Sequence, residues 1–149
     1  MSTCTTSSTG VGLHVLAFAA AAERYDSATA FLKSFEMLEW LLEHTKKFPK
    51  HQRFVMAKRI EDAALSFHDS LLWATKAGKA EGLAPLLDAD FHLERLKVYN
   101  RLSMKLKLSS FAQYEHLARL LDELGRLLGG WQRRMKGFAR KGEEGTGEP

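Results

Sequence analysis

Between Tyr114 and Trp131 the apolar residues return in steps of three and four: Tyr114, Leu117, Leu121, Leu124, Leu128 and Trp131. That spacing puts all six on one side of an α-helix, in a seam of coiled-coil type. A strand would need strict alternation, which is absent. A helix with one such seam must bury it against other elements.

The rest of the chain supplies them. A first helix is expected from about Ser27 to Lys47, with Phe31, Phe35, Leu38 and Leu42 on its apolar face. Phe48-Pro49 ends it, because the residue before proline disfavours the helical region. A second helix starts at Pro49 or Lys50 and runs to about Ala77, with Ile60, Ala63, Phe67, Leu71 and Ala74 turned inward. Gly78 reads as a left-handed stop, and residues 78–84 as the connection. Pro85 opens a third helix that lasts to about Leu108. Ser110 and Gln113 form a capping box for the fourth.

At 149 residues the chain has the length of one domain, and folding buries about 68–70% of its surface. The expected fold is all-α, an up-down-up-down four-helix bundle. Residues 28–138 would form the bundle, 1–27 a partly disordered extension and 139–149 a disordered polar tail. Gly125, Gly129 and Gly130 sit near the end of the fourth helix, where glycine costs about 1 kcal/mol relative to alanine. Close helix approach, a subunit contact included, and fraying of the helix end are both open readings.

Chemistry is hard to find. Cys4 is the sole cysteine, so internal disulfides, four-Cys zinc patterns and C-x-x-C motifs are excluded, and a cytoplasmic protein is expected. The apolar run from Val11 to Ala22 is too short to span a membrane. No Lys or Arg precedes Arg24, so the charged region of a signal peptide is missing. Di-iron bundles need Glu-x-x-His pairs, and none of the six histidines has a carboxylate three positions before it. Nucleophile elbows, P-loops and G-x-G-x-x-G loops are absent. The expectation is a binding protein with no catalytic residue, cofactor or metal.

The charge pattern says more. The net charge is +4, and sixteen of the 22 Lys and Arg residues fall in three acid-free stretches. The first holds Lys46, Lys47, Lys50, Arg53, Lys58 and Arg59. The second holds Arg95, Lys97, Arg101, Lys105 and Lys107. The third holds Arg133, Arg134, Lys136, Arg140 and Lys141. Lys97, Arg101 and Lys105 repeat every four residues and form one stripe, roughly opposite Leu96, Tyr99 and Leu106. Like charges at that spacing weaken a helix, so the stripe points to an anionic partner, with the alternative of an ordinary solvated face. Tyr99 points away from it, so stacking on single strands is only weakly suggested.

Four segments carry a resemblance. They are Trp40-Leu-Leu-Glu-His-Thr-Lys-Lys-Phe-Pro-Lys-His-Gln-Arg-Phe54, Leu93-Glu-Arg-Leu-Lys-Val-Tyr-Asn-Arg101, Gln113-Tyr-Glu-His116 and Leu124-Gly-Arg-Leu-Leu-Gly-Gly-Trp131. Over about residues 31–138 the chain resembles the Avd (accessory variability determinant) proteins of diversity-generating retroelements. The resemblance implies a non-catalytic homopentameric barrel that binds a reverse transcriptase and RNA or DNA through a basic surface. The complex copies a template RNA with errors at adenines, and the cDNA replaces a variable repeat, a process called mutagenic retrohoming. Lys97 and Arg101 look like the basic residues that face polymerase or nucleic acid. Arg53, Lys58, Arg59 and Arg95 are further carry-overs, and Lys105, Arg133 and Arg134 complete the candidate set. Gly125 and Gly129 resemble the family's glycines, which favours packing over fraying. A sister group encoded within ribosomal-RNA intervening sequences shares the Phe-Pro-Lys-His-Gln-Arg junction. A stand-alone nucleic-acid-binding bundle is therefore the second reading.

Overall fold

A computed structural model describes residues 9–144, which form four α-helices: α1 (Thr9–Thr45), α2 (Lys58–Glu81), α3 (Leu83–Lys105) and α4 (Phe111–Glu144). Cys4 and the end of the expected polar tail lie outside the described residues. A 3₁₀ turn (Lys50–Gln52) and a π turn (Arg53–Ala57) join α1 to α2.

Each neighbouring pair of helices is fixed antiparallel by two polar contacts. Ser34 bonds His68 and Thr45 bonds Glu61 between α1 and α2. Ser70 bonds Asp88 between α2 and α3, and Tyr99 meets Arg59 farther along the same pair. The α3–α4 pair is tied by Asn100 to the Tyr114 carbonyl and by Gln132 to the Leu86 carbonyl. Lys33 pairs with Glu123, and Asp26 with Arg134, between α1 and α4. The helices therefore pack in the cyclic order α1, α2, α3, α4, with α1 and α3 across a diagonal, as in a four-helix bundle.

The core follows the apolar periodicity most closely on α2 and α4. Ile60, Ala63, Phe67, Leu71 and Ala74 are buried, as are Leu117, Leu121, Leu124, Leu128 and Trp131. The capping box is present: Gln113 N–H donates to Ser110 Oγ, and Ser110 N–H donates to Gln113 Oε1.

Three expectations are corrected. α1 begins at Thr9, and α4 continues to Glu144. Gly129 and Gly130 are therefore interior to the helix and do not mark its end. The inward face of α1 is Ala30, Ser34, Met37, Leu38, Leu41, His44 and Thr45, while Phe35 remains 53% exposed. Three of those seven side chains are polar, and each bonds a group on another segment, a solution that apolar periodicity cannot reveal. On α3, Leu96 is buried, but Leu106 lies past the helix end and is 49% exposed. The helix stops at Lys105 because Lys107 turns left-handed (φ 58°). The Leu108 N–H then reaches the Ser103 carbonyl and the Lys107 N–H reaches Met104, a Schellman closure.

The α2–α3 reversal needs two glycines. Gly78 takes φ 70°, ψ −160°, a conformation open almost only to glycine. It kinks α2 instead of ending it in the left-handed helical region. Gly82 has ordinary dihedrals, but a Cβ there would collide with the Met135 methyl and the Gly78 carbonyl.

Candidate nucleic-acid and partner interface

Antiparallel packing determines where the three basic segments go. The α1–α2 junction and the C-terminal end of α3 share one end of the bundle, so the first and second segments meet there. A hydrogen bond of 2.7 Å between His44 Nε2 and Ser109 Oγ holds them together. His44 is also stacked on Trp40 and set edge-on to Phe48. Burial, with Lys47 acting the same way, holds its imidazole below the ordinary pKa. His44 is therefore neutral here and adds no charge to the basic end. The third segment lies at the opposite end, where Lys79 covers the Phe138 ring.

Within the shared end, the candidate residues occupy different surroundings. Arg53 is exposed on the π turn. Lys58 is exposed but paired with Asp62 at 2.9 Å. Arg59 and Arg95, from α2 and α3, converge on the Tyr99 hydroxyl. Hydrogen bonding from Arg95 first, and Arg59 second, lowers the phenol below its usual range. Arg95 also lies near the faces of Phe91 and Tyr99 (5.7 and 5.8 Å) and 3.1 Å from His92 Nδ1. These contacts hold the guanidinium in place and engage part of its edge, and a guanidinium with five N–H donors keeps others to offer an anion.

Lys97 and Arg101 border the groove between α3 and α4. Below them, Asp90, Leu93, Lys97, Asp122, Gly125, Arg126, Gly129 and Arg133 line a depression of about 570 Å³. Gly125 lies beside Lys97, and a Cβ there would make only ordinary contacts, 3.5 Å from Leu93 Cδ2 and 3.9 Å from Lys97 Nζ. Lys97 is salt-bridged to Glu94 at 2.7 Å, and its side chain is 36% exposed. Arg101 and Lys105 are exposed, and Arg133 is exposed at the far end of the groove. Arg134 is committed internally to Asp26. Arg126 was missed from the sequence because it stands alone among acids, outside the basic runs.

α2, α3, the junction, the α3–α4 groove and the parts of α1 and α4 that pack on them fall within one family pattern. A family model described as bAvd-like matches residues 31–135. The chain belongs to the bAvd-like family. These are the bacterial Avd proteins, accessory proteins of diversity-generating retroelements. The bAvd-like match runs from Phe31 on α1 to Met135 on α4, and so includes every candidate residue. No curated protein matches the chain. Among the described residues, no group of three or more His, Cys, Asp or Glu side chains could hold a metal ion. Nor is any helix there long and apolar enough to cross a membrane.

Proposed function

We infer that this chain is the non-catalytic accessory protein of a diversity-generating retroelement. It holds the reverse transcriptase and its RNA or cDNA against a basic surface, supports mutagenic cDNA synthesis and retrohoming, and works as a homopentamer. The observation that carries the reading is bAvd-like membership over residues 31–135. The junction at one end adds support, because the six Lys and Arg of the first segment meet Lys105 and Lys107 there, while Arg95, Lys97 and Arg101 continue the charge along α3. Such a concentration of charge favours phosphate contacts and near-surface steering of a nucleic acid.

In the proposed role, Lys97 and Arg101 contact the partner from the α3–α4 groove. Arg95, Arg59 and Arg53 extend the contact over the α2–α3 side, and Lys58, Lys105 and Arg133 give weaker, screened charge. Arg134 contributes through the fold, since its guanidinium is paired to Asp26.

The test is co-purification with the reverse transcriptase encoded beside the gene. The wild-type chain should retain the polymerase and its template RNA, and Lys97→Glu with Arg101→Glu should release both without loss of helicity. Full retention by the double variant would remove these residues from the contact. Absence of any polymerase association by the wild type, with salt-dependent RNA binding intact, would support the stand-alone bundle instead.

A further inference from the structure

At the end of the bundle away from the α1–α2 junction, three helices enclose a cavity of about 380 Å³. Arg24 and Ser27 of α1, Thr75 and Lys79 of α2, and Trp131 and Met135 of α4 line it. None of these belongs to the contact proposed above. Trp131 and Met135 are each 2% exposed and give the cavity an apolar floor.

Trp131 also carries a donor without an acceptor. Its Nε1–H is buried and meets no hydrogen-bond partner among the described residues. An indole nitrogen can only donate, and buried indole N–H groups are normally satisfied. An oxygen held in the cavity would satisfy this one.

The charge around the cavity is positive. Arg24 and Lys79 are both exposed, and no acid lines the wall among the described residues. Asp26, next to Ser27 in the chain, is taken by Arg134, and exposed Glu81 lies beyond the wall. Lys79 Nζ stands 4.7 Å over the Phe138 ring, which positions the ammonium without neutralising it. Ser27 and Thr75 add a different requirement. Ser27 donates its hydroxyl proton to the Arg24 carbonyl at 3.1 Å, and Thr75 donates to the Leu71 carbonyl at 2.9 Å. Their oxygens therefore remain as acceptors. A matching ligand has an anionic group, a further oxygen and hydroxyl groups of its own.

We propose that this cavity binds a small phosphorylated sugar. The phosphate lies by Lys79 and Arg24, where hydrogen bonds to charged groups are strongest. A further oxygen accepts from Trp131 Nε1–H, and sugar hydroxyls donate to Ser27 and Thr75. The cavity has the size of a small-ligand site. The 5′ end of a nucleic-acid strand presents the same chemistry as a free sugar phosphate. The site does not depend on the polymerase reading, and either can fail without the other.

The test follows the three indole N–H signals of Trp40, Trp73 and Trp131 by nuclear magnetic resonance in the full-length, nitrogen-15-labelled chain. Trp131→Phe identifies the Trp131 signal. Ribose 5-phosphate should move that signal saturably and leave the other two in place. Lys79→Gln, checked for unchanged helicity, should weaken the effect by about tenfold, as loss of one charged hydrogen bond does. Ser27→Ala with Thr75→Val should remove the advantage of ribose 5-phosphate over inorganic phosphate. A 5′-phosphorylated tetranucleotide that moves the Trp131 signal at lower concentration, while its 5′-hydroxyl form does not, would assign the site to strand ends. A Trp131 signal that responds to neither compound overturns the proposal. So does a shift shared by all three indoles, or inorganic phosphate binding as tightly as the sugar phosphate in the wild type.

Discussion

The imidazole Nε2 of His44 lies 2.7 Å from the hydroxyl of Ser109, 65 positions farther along the chain. The bond joins the last turn of α1 to the loop before α4, and both groups are buried. His44→Ala would leave the Ser109 hydroxyl without this partner and remove the ring packed on Trp40 and Phe48. Losing a buried bond of this kind costs about 1–3 kcal/mol. Urea denaturation should show a lower midpoint with an unchanged slope. An unaltered midpoint would mean that the two ends are held together by other contacts.

The same histidine sets a pH dependence. Burial lowers the pKa of His44, and burial against the opposing effect of Asp69 lowers that of His68. Both therefore favour the neutral form when folded, while the unfolded chain takes up protons near the ordinary value of 6.5. The sign follows: stability is full above 6.5 and declines as the pH falls below it. Ser34 already donates its hydroxyl proton to the Phe31 carbonyl, so His68 must donate to Ser34 through Nδ1–H. Chemical denaturation from neutral pH down to about 5 should show the decline. His44→Gln with His68→Gln should flatten it.

The α2–α3 reversal should tolerate its two glycines differently from an ordinary loop. Gly82→Ala forces the Met135 methyl and the Gly78 carbonyl apart, at a cost of about 1–3 kcal/mol. Gly78→Ala meets no neighbouring atom and pays for its backbone alone, about 1–3 kcal/mol. Combining Gly82→Ala with Met135→Ala separates the effects. The second change should recover part of the first loss if the methyl is the main obstacle. No recovery would place the cost on the carbonyl.

Lys107 occupies the position where a glycine usually closes a helix. Its φ of 58° costs a side-chain-bearing residue about 1 kcal/mol. Lys107→Gly should raise the melting temperature slightly. A fall in melting temperature would show that the lysine side chain gives more than its backbone costs.

The nucleic-acid reading makes a separate prediction in salt. Lys97→Gln and Arg101→Gln should each reduce the slope of log affinity against log salt by about 1. Arg134→Gln should leave the slope unchanged and lower stability instead, because it strands Asp26. Titrations of labelled RNA at several salt concentrations measure both.

How much of this was legible depended on how many sides of a helix are apolar. α4 and α2 have one such side, so Leu121 or Phe67 could be assigned inward from spacing alone. α1 and α3 have more than one. Phe35 and Ala30 compete on α1, and the smaller residue is the buried one. On α3, Leu93 and Phe91 lie two positions apart and face opposite ways. Spacing cannot decide between them, because the choice depends on which neighbours arrive. The polar inward side chains of α1 were hidden for a similar reason: Thr45 needs Glu61, and His44 needs Ser109. Among the candidate residues, the basic runs were plain in the sequence. That Arg134 spends its charge on Asp26, and that isolated Arg126 joins the groove, depends on the α1–α4 and α3–α4 packing.

The opposite placement of the third basic segment fixes a length. α3 has 23 residues, so about 35 Å separates the two charged ends. A duplex lying along the groove would pass roughly ten base steps between them, at about 3.4 Å per step. An oligonucleotide shorter than one helical turn can bridge Lys97 and Arg133, which line one depression, but cannot reach from the outermost charges of one end to those of the other. The minimum fragment that binds with full affinity would therefore measure the distance between the two ends of the bundle.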